Sequence, residues 1–502
     1  MNEHSNSSPA PIDRILIIGG GTAGWMSATY LRRLTNCQVA LIESPNVPTV
    51  GVGEATIPAI IDFLKVLDLN EDEFMRQSQA TYKLGIEFID WLDGDHRYWH
   101  PFGLCGGQLD NLDLFHFWLK RKRETQNQDE YAAYSLQALL AEAGKVHRTI
   151  GGNPIVQNYA FHLDAVAFAN YLQSIATKHG VRHVSADVRQ VETNDNGWIK
   201  GVELTDGRMV QADLYLDCTG SKGLLIEQGL QDPYLDWSET LLCDRAAVVS
   251  LPVDPQMPPY TQATAASAGW IWRIPLQNRV GCGYVYSNAH LSETAATHEL
   301  LKFTGLSDRA ESSVRHLPMR VGRRKTFWKS NCVSIGLSSG FIEPLESTGI
   351  FLVQRALEVL LDCFPDQNCH ETLRQLFNDR LEEAYEETRD FVLLHYLLSR
   401  RNDSPFWSAA RDVPIPTSLA DRLQRYDETA MILESAHPVF REMNFYYIYA
   451  GNQRLPKRHH ARANFSNFES VCQLLDRIKT NNHKLVKQMP GHAEFLDDLL
   501  SK

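Results

Sequence analysis

Three glycines in one short loop carry the first chemical signal. Gly19, Gly21 and Gly24 fall in the pattern Gly-x-Gly-x-x-Gly, directly after an apolar run. In such a loop one glycine permits a tight turn, one lets backbone approach a diphosphate, and one lets a helix pack on a strand. Thr22 and Ala23 then open a helix whose free N–H groups and positive dipole end face the phosphates. Glu43 follows about 20 residues on, where a carboxylate accepts from ribose hydroxyls. Together these residues form a dinucleotide-binding signature, whereas the loop alone is also compatible with a glycine-rich turn in an unrelated α/β protein. Elsewhere, Trp270 and Trp272 stand two apart in a strand-like run, which puts both indoles on one face. Two core aromatics are the common outcome of that spacing.

The elements that must position these groups are legible from periodicity. Residues 14–18 form a short apolar run ending in glycines, as a buried parallel strand does. Residues 23–34 predict a helix and 38–43 a second strand, giving a βαβ opening. Residues 82–91 alternate, with Leu84, Ile86 and Phe88 on one face, and predict a single half-buried strand with Lys83 opposite. Residues 181–217 hold short strands broken by the hairpin turns Asn194-Asp195-Asn196-Gly197 and Asp206-Gly207. Beyond 349 the spacing turns helical, over 351–363, 371–400 and 468–502.

The 502-residue chain is 43% hydrophobic and 22% charged, with a net charge of −12, which disfavours nucleic acid as a partner. The runs Lys120-Arg121-Lys122-Arg123 and Arg323-Arg324-Lys325 read as solvated faces. No apolar stretch reaches bilayer-spanning length, and the polar start 1–11 lacks the apolar segment of a secretory signal. The nine scattered cysteines contain no CxxC pair, which fits a reducing cytoplasm and indicates no metal. His459-His460 is a lone pair in a basic loop and is not read as a metal site.

Residues 212–220 form a largely apolar run ending Asp-x-Thr-Gly. They resemble the second flavin-contacting strand of flavoproteins with two dinucleotide-binding domains, which favours FAD over NAD. The fold expected is therefore α/β: a flavin-binding core of that type with a second, largely helical substrate module. The core is placed at 12–350, with inserted substrate-module segments at about 76–175 and 225–270, and the helical part at 351–502.

Three further segments name a chemistry. Residues 269–275 read Gly-Trp-Ile-Trp-Arg-Ile-Pro, 341–350 read Phe-Ile-Glu-Pro-Leu-Glu-Ser-Thr-Gly-Ile, and 50–58 read Val-Gly-Val-Gly-Glu-Ala-Thr-Ile-Pro. In these the chain resembles the flavin-dependent tryptophan halogenases over nearly its whole length. The resemblance implies an FAD enzyme, used as FADH2, that makes hypohalous acid from halide and oxygen and passes it to a separate aromatic substrate. It implies Lys83 and Glu346 as catalytic residues, with Glu343 as the competing carboxylate. It implies cofactor contacts from Glu54 and Ala55 in the strap over the flavin, from Val188, and from Ile350. It also implies halide-binding amides at Thr348 and Gly349, with Ser347 bridging flavin and catalytic region. Trp270 and Trp272 would shield the flavin, keeping organic substrate away while halide enters.

His100 and Phe102 match the pair that sandwiches the indole in the family. Residues 444–451 also align, but the Tyr-Tyr, Glu and Phe-Trp that grip free tryptophan are replaced by the shorter His437-Pro438-Val439-Phe440-Arg441-Glu442-Met443. Glu442 is present without that framework, so an indole or larger aromatic is expected rather than free tryptophan. Expected partners are a separate NAD(P)H-dependent flavin reductase and a small aromatic substrate, with a homodimer as a compatible assembly. An aromatic hydroxylating monooxygenase on the same core would need its own route for NAD(P)H, and no second Gly-x-Gly-x-x-Gly is present. An FAD-binding regulator with decayed catalysis would have lost Lys83 or Glu346, and both are present.

Overall fold

The computed structural model describes residues 10–47, 51, 53–150, 153–154 and 159–501. Most of the polar start, and Val50 and Val52 of the strap, lie outside the described residues. The opening is the βαβ unit expected from the sequence: β1 (Arg14–Ile18), α1 (Thr22–Leu34) and β2 (Gln38–Glu43). β1 sits centrally in a six-stranded sheet, parallel to β2 on one side and to strand Leu214–Asp217 on the other. The run ending Asp-x-Thr-Gly thus lies beside the glycine loop. Parallel strands buried on both faces account for the continuous apolar character of both runs.

A seven-stranded sheet makes the second layer. It contains strands Thr261–Ala266, Gly269–Pro275 and Val280–Tyr286, and it ends on β5 (Gly85–Ile89) and β6 (Arg97–Pro101). A three-stranded sheet links the layers, with Ala160–Asp164 between β3 (Gly53–Ala55) and β4 (Thr81–Lys83). Here the sequence expectation needs correction. Residues 82–91 are not one strand: the chain leaves the small sheet after Lys83 and joins the large one at Gly85. Leu84 spends its backbone on neither sheet, donating to Pro259 and accepting from Phe102. Nor is the segment half-exposed. Thr81, Tyr82, Lys83 and Glu87 are buried together with Leu84, Ile86 and Phe88.

The helices beyond 349 form as expected, except that 468–502 is two helices, Phe468–Gln488 and His492–Leu500, separated around Pro490. Proline lacks the N–H that a continuing helix would need. Helix Gly349–Asp362 lies against α1, and the long helix Glu371–Leu398 runs alongside it.

Both basic runs depart in part from the solvated faces expected, while Arg123 and Lys325 are exposed. Arg323 and Arg324 are buried, Arg323 pairing with Glu382 and, at 3.0 Å, with Glu386, and Arg324 pairing with Glu227. Lys120 is buried too, donating to the Ala463 carbonyl at 3.3 Å. Buried charge persists only where partners meet it, since removing one partner costs about 3–5 kcal/mol.

Candidate active site

The nucleotide loop is built as its glycines require. Gly19 has φ +111°, and a Cβ there would lie 2.2 Å from the Cys218 carbonyl oxygen, so the loop presses on the end of the neighbouring strand. A Cβ on Gly24 would fall 1.8 Å from the Gly19 carbonyl oxygen, which is the close helix-to-loop packing. Gly21 differs. It caps α1 without any side-chain hydrogen bond, and a Cβ on it would meet nothing within 4 Å. An open space in front of free helix N–H groups is what a diphosphate needs, so these residues fit the dinucleotide. Thr22 and Ala23 begin α1, and Glu43 ends β2 with its carboxylate 3.0 Å from His183 Nε2. Val188 starts a strand just past that end, where Asp187 accepts from Ser44 and Asn46. Glu54 and Ala55 lie on β3, and burial pushes the Glu54 carboxyl up to about 7.

Lys83, at the end of β4, is fully buried. Its ammonium donates to Ser347 Oγ at 2.8 Å and to the Thr56 carbonyl at 3.2 Å, and lies 5.1 Å from the centre of the Phe102 ring. Burial pulls the Lys83 amine down to about 7, against the opposing pull of the Glu346 charge. Ser347 holds a left-handed backbone, φ +59°, between the short turn Pro344–Glu346 and helix Gly349–Asp362. Thr348 caps the helix without a side-chain hydrogen bond, Gly349 is its first residue, and Ile350 is buried beneath.

Glu346 is buried between two imidazoles. Its Oε2 lies 2.8 Å from His100 Nδ1 on β6, in hydrogen-bond geometry. Its Oε1 lies 2.8 Å from His395 Nε2 on the long helix, close but without hydrogen-bond alignment. Burial alone would raise this carboxyl, and the two imidazoles, His100 foremost, instead hold it well below the usual carboxylate range. His395 was not singled out from the sequence. In an apolar helical stretch it reads as a core residue, and burial does lower its imidazole. Yet its ring stacks on Phe88 at 4.6 Å, its Nδ1 meets the Tyr98 hydroxyl at 3.0 Å, and its other nitrogen faces Glu346.

Glu343 stands apart from this group. The Trp270 indole N–H donates to it at 2.8 Å and the Tyr396 hydroxyl at 2.6 Å. Burial pushes its carboxyl up to about 7 despite both donors. Trp270 and Trp272 do share a face, with ring centres 6.1 Å apart. The turn from Glu343 to Glu346 therefore joins the tryptophan pair at one end to the Lys83 cluster at the other. His100 and Phe102 flank that cluster, and Phe440 stacks on Phe391 beside His100. Glu442 takes the Tyr446 hydroxyl from its own helix. Among the described residues no group of His, Cys, Asp and Glu could hold a metal ion, and no helix is long and apolar enough to cross a membrane.

Comparison with known proteins identifies the family. The family model described as tryptophan halogenase matches residues 14–467. The chain is 37% identical to tryptophan 7-halogenase RebH of Lentzea aerocolonigenes, over 97% of this chain and 98% of that protein. Among solved structures it resembles BrvH, a flavin-dependent halogenase from Brevundimonas sp. BAL3, at TM-score 0.90 and 37% identity, covering 97% of this chain and 99% of that one. It likewise resembles Xcc4156, a flavin-dependent halogenase from Xanthomonas campestris, at TM-score 0.92 and 36% identity, covering 97% and 98%.

Proposed function

The chain belongs to the tryptophan halogenase family, flavin-dependent enzymes that act on small aromatic substrates with FADH2 from a separate reductase, and from that premise we propose that it halogenates an indole-type ring through hypohalous acid handled by Lys83 and Glu346. The observation that carries this reading is the joint at Ser347, where the buried Lys83 ammonium meets the residue that follows the buried Glu346 carboxylate.

Gly19, Gly21 and Gly24 with the start of α1 would hold the FAD diphosphate, Glu43 the ribose, and Glu54, Ala55, Val188 and Ile350 the remainder. When bound and reduced, FAD supplies with oxygen the oxidising equivalents that turn chloride or bromide into hypohalous acid. The amides of Thr348 and Gly349, at an uncapped helix start, would hold the halide. Trp270 and Trp272 would keep the organic ring out of the flavin's neighbourhood.

At the far end, the Lys83 ammonium has three protons and two fixed acceptors, which leaves one proton for the oxygen of hypohalous acid. That hydrogen bond polarises the O–X bond, and a water-poor surrounding strengthens it. The ring carbon forms a bond to the halogen, and the oxygen leaves as water with the Lys83 proton. Glu346 takes the proton from the halogenated carbon and returns it to the Lys83 amine. Atoms balance as HOX plus ArH giving ArX plus H2O.

Free tryptophan is the less suitable substrate on this reading, because the Glu442 carboxylate that could meet its ammonium is already engaged by Tyr446. Initial rates on indole and on tryptophan, in one assay with FAD, a flavin reductase, NADH and bromide, test this. Brominated indole formed faster than brominated tryptophan is expected, whereas a strong preference for tryptophan contradicts it. Hydroxylated rather than brominated product would point to monooxygenase chemistry instead.

A further inference from the structure

A cap on the helix Glu442–Gly451 reaches into the catalytic cluster. Asn444 Oδ1 accepts from the Arg441 backbone N–H at 2.8 Å, and the Asn444 N–H donates back to the Arg441 carbonyl at 2.9 Å. A backbone N–H can only donate, so the oxygen of the Asn444 amide must be the atom that faces it. The NH2 branch then points the other way, and Nδ2 lies 3.0 Å from His100 Nε2. An amide NH2 can only donate as well, so Nε2 must be an acceptor without a proton.

We infer that Asn444 is a positioning residue that keeps His100 neutral, with its single ring proton on Nδ1 and donated to Glu346. This rests on the reading of Glu346 as the group that takes the ring proton, and it deepens that reading. The charged and titratable groups that contact His100 fit it. Glu346 accepts from Nδ1, His395 lies across the same carboxylate, and Lys83 donates to Ser347, the residue that follows Glu346. The rings of Phe391 and Tyr447 also face it, at 5.6 and 6.3 Å between centres, and burial pushes the Tyr447 phenol well up. A doubly protonated His100 would set a second cation against Glu346 and blunt it as a base. The neutral ring orients the carboxylate through its Nδ1–H hydrogen bond.

Asn444→Asp reverses the instruction at nearly constant shape. One carboxylate oxygen still accepts from the Arg441 N–H, and the other now faces Nε2 and demands a proton there. The decisive measurement is a long-range 1H–15N correlation spectrum of 15N-histidine-labelled protein, with His100→Gln used to identify the resonances. The expected result is protonated Nδ1 and bare Nε2 in the wild-type protein, and both nitrogens protonated in Asn444→Asp. A proton on wild-type Nε2, or an unchanged His100 in the variant, overturns the inference. Should Asn444→Asp fail to fold, the wild-type spectrum alone decides the matter.

Rates separate this inference from the reading beneath it. With Glu346 as base, Asn444→Asp lowers kcat roughly tenfold or more near neutrality with little change in KM. The ratio of its rate to the wild-type rate then climbs with pH as the added proton leaves, whereas Asn444→Leu gives a flat ratio. The expected spectra with a flat ratio for Asn444→Asp would uphold the tautomer and overturn Glu346 as the base.

Discussion

Lys83 donates to Ser347 Oγ at 2.8 Å, and Ser347 is the residue that follows Glu346 in the chain. A strand end from the small sheet and a left-handed joint before a helix therefore deliver an ammonium and a carboxylate to one buried place. Neither group is there for packing. Each bears a desolvation penalty, met at Lys83 by Ser347, the Thr56 carbonyl and the Glu346 charge, and at Glu346 by the imidazoles of His100 and His395.

The Lys83 amine, pulled down to about 7, sets a pH dependence. Below that value the nitrogen is an ammonium with a proton for hypohalous acid, and above it an amine. Bromination turnover is therefore expected to fall as pH rises through about 7, measured with FADH2 generated in excess. A rate that climbs steadily through this range would instead favour the free amine as the reacting species.

Removing the carboxylate's charge at fixed shape isolates its role. Glu346→Gln should lower the bromination rate about 100-fold, within the range that a positioned proton acceptor contributes. FAD affinity should be unchanged, because the nucleotide loop lies elsewhere. Quench-flow product analysis beside a flavin-fluorescence titration checks both halves.

The nucleotide loop makes a separable claim. Gly21 has φ −75° and open space at its Cβ position, so a side chain is tolerated by the fold but intrudes on the diphosphate. Gly21→Val is expected to leave the melting temperature of the FAD-free protein nearly unchanged while weakening FAD about tenfold or more, as when close backbone approach is lost. Gly19→Ala, strained at φ +111° and 2.2 Å from the Cys218 carbonyl, should instead depress stability. Calorimetry and fluorescence titration distinguish the two effects.

What the sequence revealed follows the range of the interactions. The glycine loop, β1, α1, β2 and the Asp217 strand are local patterns, and each was legible from a dozen residues. Lys83 and Glu346 were legible only through the segments around them, since a lone strand lysine reads as a solvated charge. His395 was missed because its partners, Tyr98 and Glu346, come from distant parts of the chain. The burial of Arg323 and Arg324 escaped for the same reason, their partners Glu227, Glu382 and Glu386 being supplied by folding. The break at Leu84 was invisible to alternation, because the alternation of Leu84, Ile86 and Phe88 runs across it while the two sheets differ.

The separation of oxidant formation from its use is tested most directly by Lys83→Ala, assayed with FAD, a flavin reductase, NADH, bromide and indole. Two products are followed together, bromoindole and hypobromous acid caught by a scavenger in solution. The expected result is bromoindole lowered by about 100-fold or more, with FAD binding and scavenged oxidant retained. Bromoindole formed at the wild-type rate, or oxidant lost along with it, would contradict a Lys83 that acts after the flavin and apart from it.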